Sequence, residues 1–296
     1  MFNPNEHPEK CEVYMSRFLG CPVNFIRAEI LTQSTRVAPW RLDVKLNGVK
    51  RAYVLQLDTR GMEHEYQVLK AVEFIPVSTP RAYGLDLRGE ALGVPCFFSD
   101  FIEGESLLGP MLAEAAWAEK LYLDTVCTLN AVTEEDLGKI AQELDRTTAE
   151  DVIEDAYASL KSRSLPLADA VYRKLKAKMP SLPPVRFSNG DLWLDNFIVQ
   201  DGKLAGVIDF QGAAFSDPVF EFLLSFFVSP ELQGRGIEER FCQRIGVDPA
   251  VLHWYHGLEY FDVWSWTLST GKNFIHHTAE SLEMNLKNWL DEFQVH

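Results

Sequence analysis

The sequence predicts an α+β fold in two parts: a smaller first part of mainly antiparallel strands with one helix among them, and a larger, mainly helical remainder. Three observations carry this. Residues 40–57 alternate apolar and polar positions around Asn47-Gly48. From Met111 onward, apolar residues recur at helical spacing. One stretch, residues 187–210, breaks that helical run with a second hairpin signal at Asp201-Gly202. At 296 residues the chain is long for a single core and suits two lobes or one large domain.

In order, residues 1–19 predict a helical lead-in after Pro8. Trp40, Leu42, Val44 and Leu46 then alternate with Arg41, Asp43 and Lys45, the period of a strand with one buried face. The strand returns over 49–57, with Ala52, Val54 and Gln56 on one face and Tyr53, Leu55 and Leu57 on the other. A helix over 62–72 follows, with Met62, Glu65, Leu69 and Val72 on one stripe. Glu65 thus sits on the apolar side, where a carboxylate needs a partner. Residues 95–104 read as an apolar strand ending in a glycine turn. Further on, Thr133 reads as an N-cap, and Glu134, Glu135 and Asp136 complement the helix dipole. Helices over 149–160 and 167–179 end at Pro180–Pro184. After Pro218 the chain reads as helical, with an aromatic-rich helix over 251–268.

Composition excludes several classes. Hydrophobic residues make up 47% of the chain, enough for a sizeable core, which argues against general disorder. The net charge of −15 disfavours a nucleic-acid partner, which needs a basic face. The five cysteines are scattered with no metal-ligand spacing, as expected of reduced thiols in a cytoplasmic protein. The polar N-terminus lacks a signal peptide's apolar run, and the longest apolar cluster, 222–228, is too short to span a membrane.

The chemistry concentrates in residues 187–210. Asp191 is followed at five residues by Asn196, and an apolar run ends at Asp209. A hairpin through Asp201-Gly202 would return Asp209 beside Asn196 and Asp191. Two carboxylates and an amide oxygen suit Mg²⁺ and phosphate chemistry. The alternative is that Asp191 and Asn196 are turn residues and Asp209 caps the next helix.

Asn189-Gly190-Asp191 through Asn196, then Ile208-Asp209-Phe210 and Ser216-Asp217-Pro218, resemble the motifs of the aminoglycoside phosphotransferase family, also called the phosphotransferase enzyme family. The resemblance spans about residues 23–226. It implies a two-lobed protein-kinase-like fold, with residues 95–104 as the strand and hinge between a nucleotide-binding first lobe, residues 1–102, and a catalytic, acceptor-binding helical second lobe, residues 103–296. By resemblance Asp191 is the catalytic base, and Asn196 and Asp209 hold Mg²⁺. Glu65 fills the place of the helix glutamate that pairs with a strand Lys or Arg, and Gln56 stands at the strand position. Gln donates only neutral hydrogen bonds, about half as strong as charge-assisted ones; Lys45, Lys50 or Arg51 would have to compensate. Residues 32–36 replace the glycine-bearing phosphate loop, with Ser34, Thr35 and Arg36 in its stead. The base of ATP, or GTP, is expected at the backbone near Asp100 and Ile102. Asn189 replaces the family's His, a position that supports the loop. Glu259 and Asp262 are candidate acceptor-binding acids, with core packing as their other reading.

The first functional reading is a Mg²⁺-dependent kinase acting on a small-molecule hydroxyl, with no nucleic-acid or membrane partner. The second is a pseudokinase-like nucleotide-binding or scaffold protein without transfer, which Gln56 and the glycine-free loop favour. A hydrolase using Asp191 and Asp209 would leave Asn196 and the first lobe unexplained.

Overall fold

Proline at the first helical position opens α1 (Pro8–Leu19), and Gly20, left-handed at φ 67°, closes it. The computed structural model describes residues 2–31, 39–58 and 61–292. Strands β1 (Val23–Ile30), β2 (Trp40–Leu46) and β3 (Val49–Leu57) follow α1. Asn47 and Gly48 both take positive φ, 50° and 84°, the turn whose twist matches that of the paired strands. Next come α2 (Met62–Ala71), β4 (Ala82–Asp86) and β5 (Cys96–Asp100). The five strands form an antiparallel sheet in the order β1-β2-β3-β5-β4.

Strand alternation decides what covers each face. Tyr53, Leu55 and Leu57 of β3 join Leu42, Val44 and Phe98 in a core that Tyr14 and Met15 of α1 close. The opposite face carries Gln56, whose cross-strand neighbour is Phe97. The Tyr66 ring of α2 meets Phe97 edge-on at 5.7 Å, so α2 lies on the Gln56 side. Met62, Glu65 and Leu69 are buried along the helix stripe.

The chain continues through β6 (Glu105–Ser106), α3 (Leu108–Leu112), α4 (Ala118–Asn130) and α5 (Glu134–Leu137). Thr133 and Asp136 form a reciprocal capping box on α5, and Thr148 and Asp151 form another on α6 (Ala149–Leu160), which follows β7 (Arg146–Thr147). Then come α7 (Pro166–Ala177), β8 (Arg186–Ser188), the hairpin β9 (Phe197–Gln200) and β10 (Lys203–Val207), and β11 (Ala214–Ser216). Helices α8 (Pro218–Phe227), α9 (Ile237–Ile245), α10 (Leu252–Thr270) and α11 (Ala279–Glu292) complete the chain. Among the described residues no helix is long and apolar enough to cross a membrane.

Contacts gather these elements into two units of interleaved segments. The first comprises residues 1–107, 133–143 and 195–213; the second comprises 108–132, 144–194 and 214–296. Residues 195–213 join the first unit because β9 pairs with β6, and the Val207 amide donates to Ser78 O at 2.9 Å. In the second unit β11 pairs in parallel with β7 and antiparallel with β8. Its main core draws on α6, α7, α8, α10 and α11, from Ile153 and Val171 to Phe261, Leu282 and Trp289.

Candidate active site

Gln56, Glu65, Asp100, Ile102, Asn196 and Asp209 all belong to the first unit. Asn196 ends a short 3-10 turn at the entry to β9 and is buried. In the hairpin, Val207 pairs with Phe197, and the Ile208 amide donates to Asn196 O at 2.9 Å. That bond sets Asp209 next to Asn196 at one end of the hairpin. Asp209 takes a left-handed backbone, φ 57°, as do six other non-glycine residues among those described. Such conformations cost about 1–3 kcal/mol and gather at functional sites. Asp209 does not cap α8. Asp217 does that, accepting from the Val219 and Phe220 amides at 3.0 Å each. An amide oxygen and a carboxylate carried at the same end of one hairpin are hard donors of the kind that fit Mg²⁺, with phosphate oxygens and water completing the shell. Among the described residues no three His, Cys, Asp or Glu side chains gather as a metal-holding group.

The segment after β5 lies against the same hairpin. The Asp100 and Phe101 amides are used by Arg81 O at 3.0 Å and Ala52 O at 3.2 Å. The Ile102 main chain takes no such bond among the described residues. The Ile102 side chain reaches Gly206 of β10, where a Cβ would meet Ile102 Cγ1 at 3.3 Å. Asp100 is half-buried. Burial pushes its carboxyl above the usual range, against bonds from the Arg81 amide and the Tyr83 hydroxyl. Gly61, at φ 82°, opens α2 where the Gln211 side chain approaches; a Cβ there would stand 2.7 Å from Gln211 Nε2. The residues just after Asp209 are thereby packed on the start of the helix that carries buried Glu65.

Gln56 lies on the α2 side of β3. Lys45 and Lys50 face each other across the β2–β3 hairpin, and both are exposed, as is Arg51. At roughly 3.3 Å per residue, Lys50 stands about 20 Å along the strand from Gln56. The sequence passes over a nearer cation. Arg41 is opposite Val54, two residues from Gln56 and on the same face. Its guanidinium bonds Asp43 at 2.9 Å and Glu103 at 3.0 Å and lies over the Phe101 ring at 4.2 Å. Its place on a polar strand face of alternating Arg and Asp is the signal that could have marked it. Ser34, Thr35 and Arg36 lie outside the described residues.

The second unit holds Asp191, Glu259 and Asp262. Asp191 follows β8 on a tightly bonded loop. Asn189, fully buried, donates from Nδ2 to Asp191 O at 2.9 Å, which is the loop-supporting part expected of it. Asp191 Oδ1 accepts from the Trp193 amide at 3.3 Å, and Tyr122 donates to Leu192 O at 2.8 Å. On α10, Glu259 points into the protein beside His256 Nδ1 at 3.1 Å, and its Oε1 has no hydrogen-bond partner. Burial pushes its carboxyl up to about 7, outweighing the nearby His256. Asp262 is pushed up to about 6, first by burial and then by Asp155. Trp266, four residues on from Asp262, is exposed while Trp264, Ser265 and Thr267 around it are buried, so it lies on the outer side of α10. The sequence reading also missed Glu221, a carboxylate inside the apolar run Val219-Phe220-Glu221-Phe222-Leu223. It is buried beneath the Asp191 loop, and an acid in such a run was the available signal.

Comparison with known proteins bears on the fold and the family. A protein from Ralstonia eutropha carrying the provisional description aminoglycoside phosphotransferase superposes with TM-score 0.71 at 16% identity, over 96% of each chain. A thermostable mutant of aminoglycoside phosphotransferase APH(4)-Ia, in ternary complex with ADP and hygromycin B, superposes with TM-score 0.65 at 14% identity over 95% of this chain and 97% of that one. The GDP and kanamycin complex of APH(2")-IIia gives 0.59 at 17% identity, over 92% and 94%. A search of curated protein sequences finds no match. At these identities the structural matches show a shared fold. The family model of the phosphotransferase enzyme family matches residues 42–255, most of the chain, and the chain belongs to that family.

Proposed function

We propose that this protein transfers the γ-phosphate of ATP or GTP, with Mg²⁺, to a hydroxyl of a small molecule. The observation that carries the reading is the pairing of Asn196 with a left-handed Asp209 through the Ile208–Asn196 backbone bond. Bound there, the metal would neutralise phosphate charge. Asn196 and Asp209 would supply its protein oxygens, and the unused Ile102 backbone would bond the nucleotide base. Asp191 would accept or orient the proton of the acceptor hydroxyl, its position fixed by Asn189 and the Trp193 amide. Phosphoryl transfer is mostly positioning and charge neutralisation, so each of these groups matters. The relatives crystallised with hygromycin B and kanamycin make hydroxylated antibiotics the first acceptors to try.

The test is thermal stability with ATP or GTP, with and without Mg²⁺. A ligand at about a hundredfold over its dissociation constant adds roughly 2.7 kcal/mol, several degrees in melting temperature. A Mg²⁺-dependent rise that Asp209→Asn abolishes is expected, together with ADP formation that Asp191→Asn reduces by several orders of magnitude. Gln56, with Lys45, Lys50 and Arg51 all exposed at or near the far hairpin end, favours a second reading: nucleotide binding without transfer. A rise with nucleotide but no phosphorylated product from any acceptor, water included, selects it.

A further inference from the structure

Glu221 sits in the first turn of α8, with its carboxylate bonded to Ser188 at the start of the loop that ends at Asp191. Ser188 Oγ donates to one carboxylate oxygen and Ser216 Oγ to the other. Ser188 ends β8 and Ser216 ends β11, and these strands are paired, so one carboxylate ties both strand ends to α8. The Gly190 amide donates to Ser188 Oγ at 3.1 Å and faces the same carboxylate. The chain from Ser188 through Gly190 to Asp191 therefore starts at bonds that converge on Glu221.

We propose that Glu221 is a positioning residue for the 189–191 loop, and that the negative charge on its carboxylate sets how firmly that loop is held. In its bearing on turnover, this inference rests on the reading of Asp191 as the base. As a carboxylate, Glu221 accepts from every donor around it. Once protonated, one oxygen becomes a donor, so a serine hydroxyl must turn to accept from it, and the bonds from Ser188, Ser216 and Gly190 lose their charge assistance. Burial, Asp191 and Asp217 push its carboxyl up while Ser188 and the Gly190 amide oppose them, leaving it raised to about 7. The titratable groups facing it are Asp191 on the loop, Asp217 at the start of its own helix and Tyr122 on α4. The change of charge thus falls in the neutral range, where it alters both the loop's bonds and the field at Asp191.

The experiment is hydrogen exchange of the peptide spanning residues 187–194 in the full chain, at pH 6 and pH 8.5, corrected for intrinsic rates. Wild-type protection is expected to fall about 10- to 100-fold on acidification, as the bonds around Glu221 lose their charge assistance. Glu221→Gln should exchange at the fast level at both pH values. Equal protection at both pH values in the wild type, unchanged in Glu221→Gln, overturns the proposal. Should Glu221→Gln fail to fold, Ser216→Ala carries the test. Losing that donor should move the midpoint of the pH transition upward, and an unmoved midpoint overturns the proposal. ADP formation from Mg-ATP with water as acceptor gives the second readout. In Glu221→Gln, kcat should fall about 10- to 100-fold with KM for ATP little changed, and the acid limb of the pH profile should vanish. Wild-type ADP formation in Asp191→Asn would sink the reading of Asp191 and leave the exchange result on Glu221 standing. Loss in Asp191→Asn with an unchanged profile in Glu221→Gln would sink only the inference about Glu221.

Discussion

Replacing Glu259 by Gln should make the protein more stable above neutral pH. Glu259 is 2% exposed, and its Oε1 finds no hydrogen-bond partner. Burial pushes its carboxyl from an ordinary 4.5 to about 7. The neighbouring His256 would by itself pull the carboxyl down, but loss of water outweighs it. Burial also works against protonation of His256, yet Glu259, Glu238 and Glu239 together hold that imidazole above its usual range. The two shifts have the same sign for stability. Between about pH 4.5 and 7 the folded protein keeps a proton on Glu259 that the unfolded chain has released. Stability from this source is therefore greatest at low pH and falls as pH rises through the folded value. At 1.36 kcal/mol per pH unit the full difference is about 3 kcal/mol, an upper value that hydration and relaxation reduce. Urea unfolding at pH 5.5 and pH 8.5 measures it. By pH 5.5 about a pH unit of this loss has already occurred, so the variant's advantage should widen by up to about 2 kcal/mol between the lower pH and the higher, with a flatter pH dependence in the variant. Equal slopes in both proteins, or a variant weaker at pH 8.5, would mean that Glu259 is ionised against His256 throughout and that the burial argument is wrong.

Two further changes test the second unit's packing. Gly257→Ala should destabilise by about 1–3 kcal/mol in urea despite alanine's better helix propensity, because the added Cβ would fall 2.5 Å from Trp289 Nε1 and closer still to the indole carbons. Asp217→Ala should cost about 2–4 kcal/mol, since it removes the α8 cap and strands the Tyr255 hydroxyl that donates to Asp217 at 2.8 Å; Asp217→Asn should recover much of the loss.

Local chemistry made much of this fold legible. Both hairpins follow from an Asn-Gly and an Asp-Gly pair whose residues take positive φ, and the stripe of α2 follows from helical spacing. The capping boxes at Thr133 and Thr148 are written in four consecutive residues each. The two-residue strands β6 and β7 and the three-residue β8 and β11 escaped notice, because so short a segment shows no period. Long-range pairing was equally hidden. Nothing in residues 197–207 says that β9 will pair with β6 and draw Asn196 and Asp209 into the same unit as Gln56 and Glu65. Arg41 and Glu221 were missed for opposite reasons. Arg41 looked ordinary on a polar strand face, whereas Glu221 was conspicuous in an apolar helix but lies beyond the motif that drew attention.

The left-handed backbone at Asp209 affects how substitutions there should be read. At φ 57° asparagine is nearly as comfortable as aspartate, glycine more so, and alanine must bear its own steric cost of about 1 kcal/mol. An alanine scan would therefore report two losses at this position, the oxygen ligand and the turn, and assign both to chemistry. Glycine would loosen the turn, while asparagine keeps shape and volume and removes only the charge. A graded series of Asn, Gly and Ala at residue 209, compared by nucleotide binding and by unfolding, would separate the electrostatic share of the position from its conformational share.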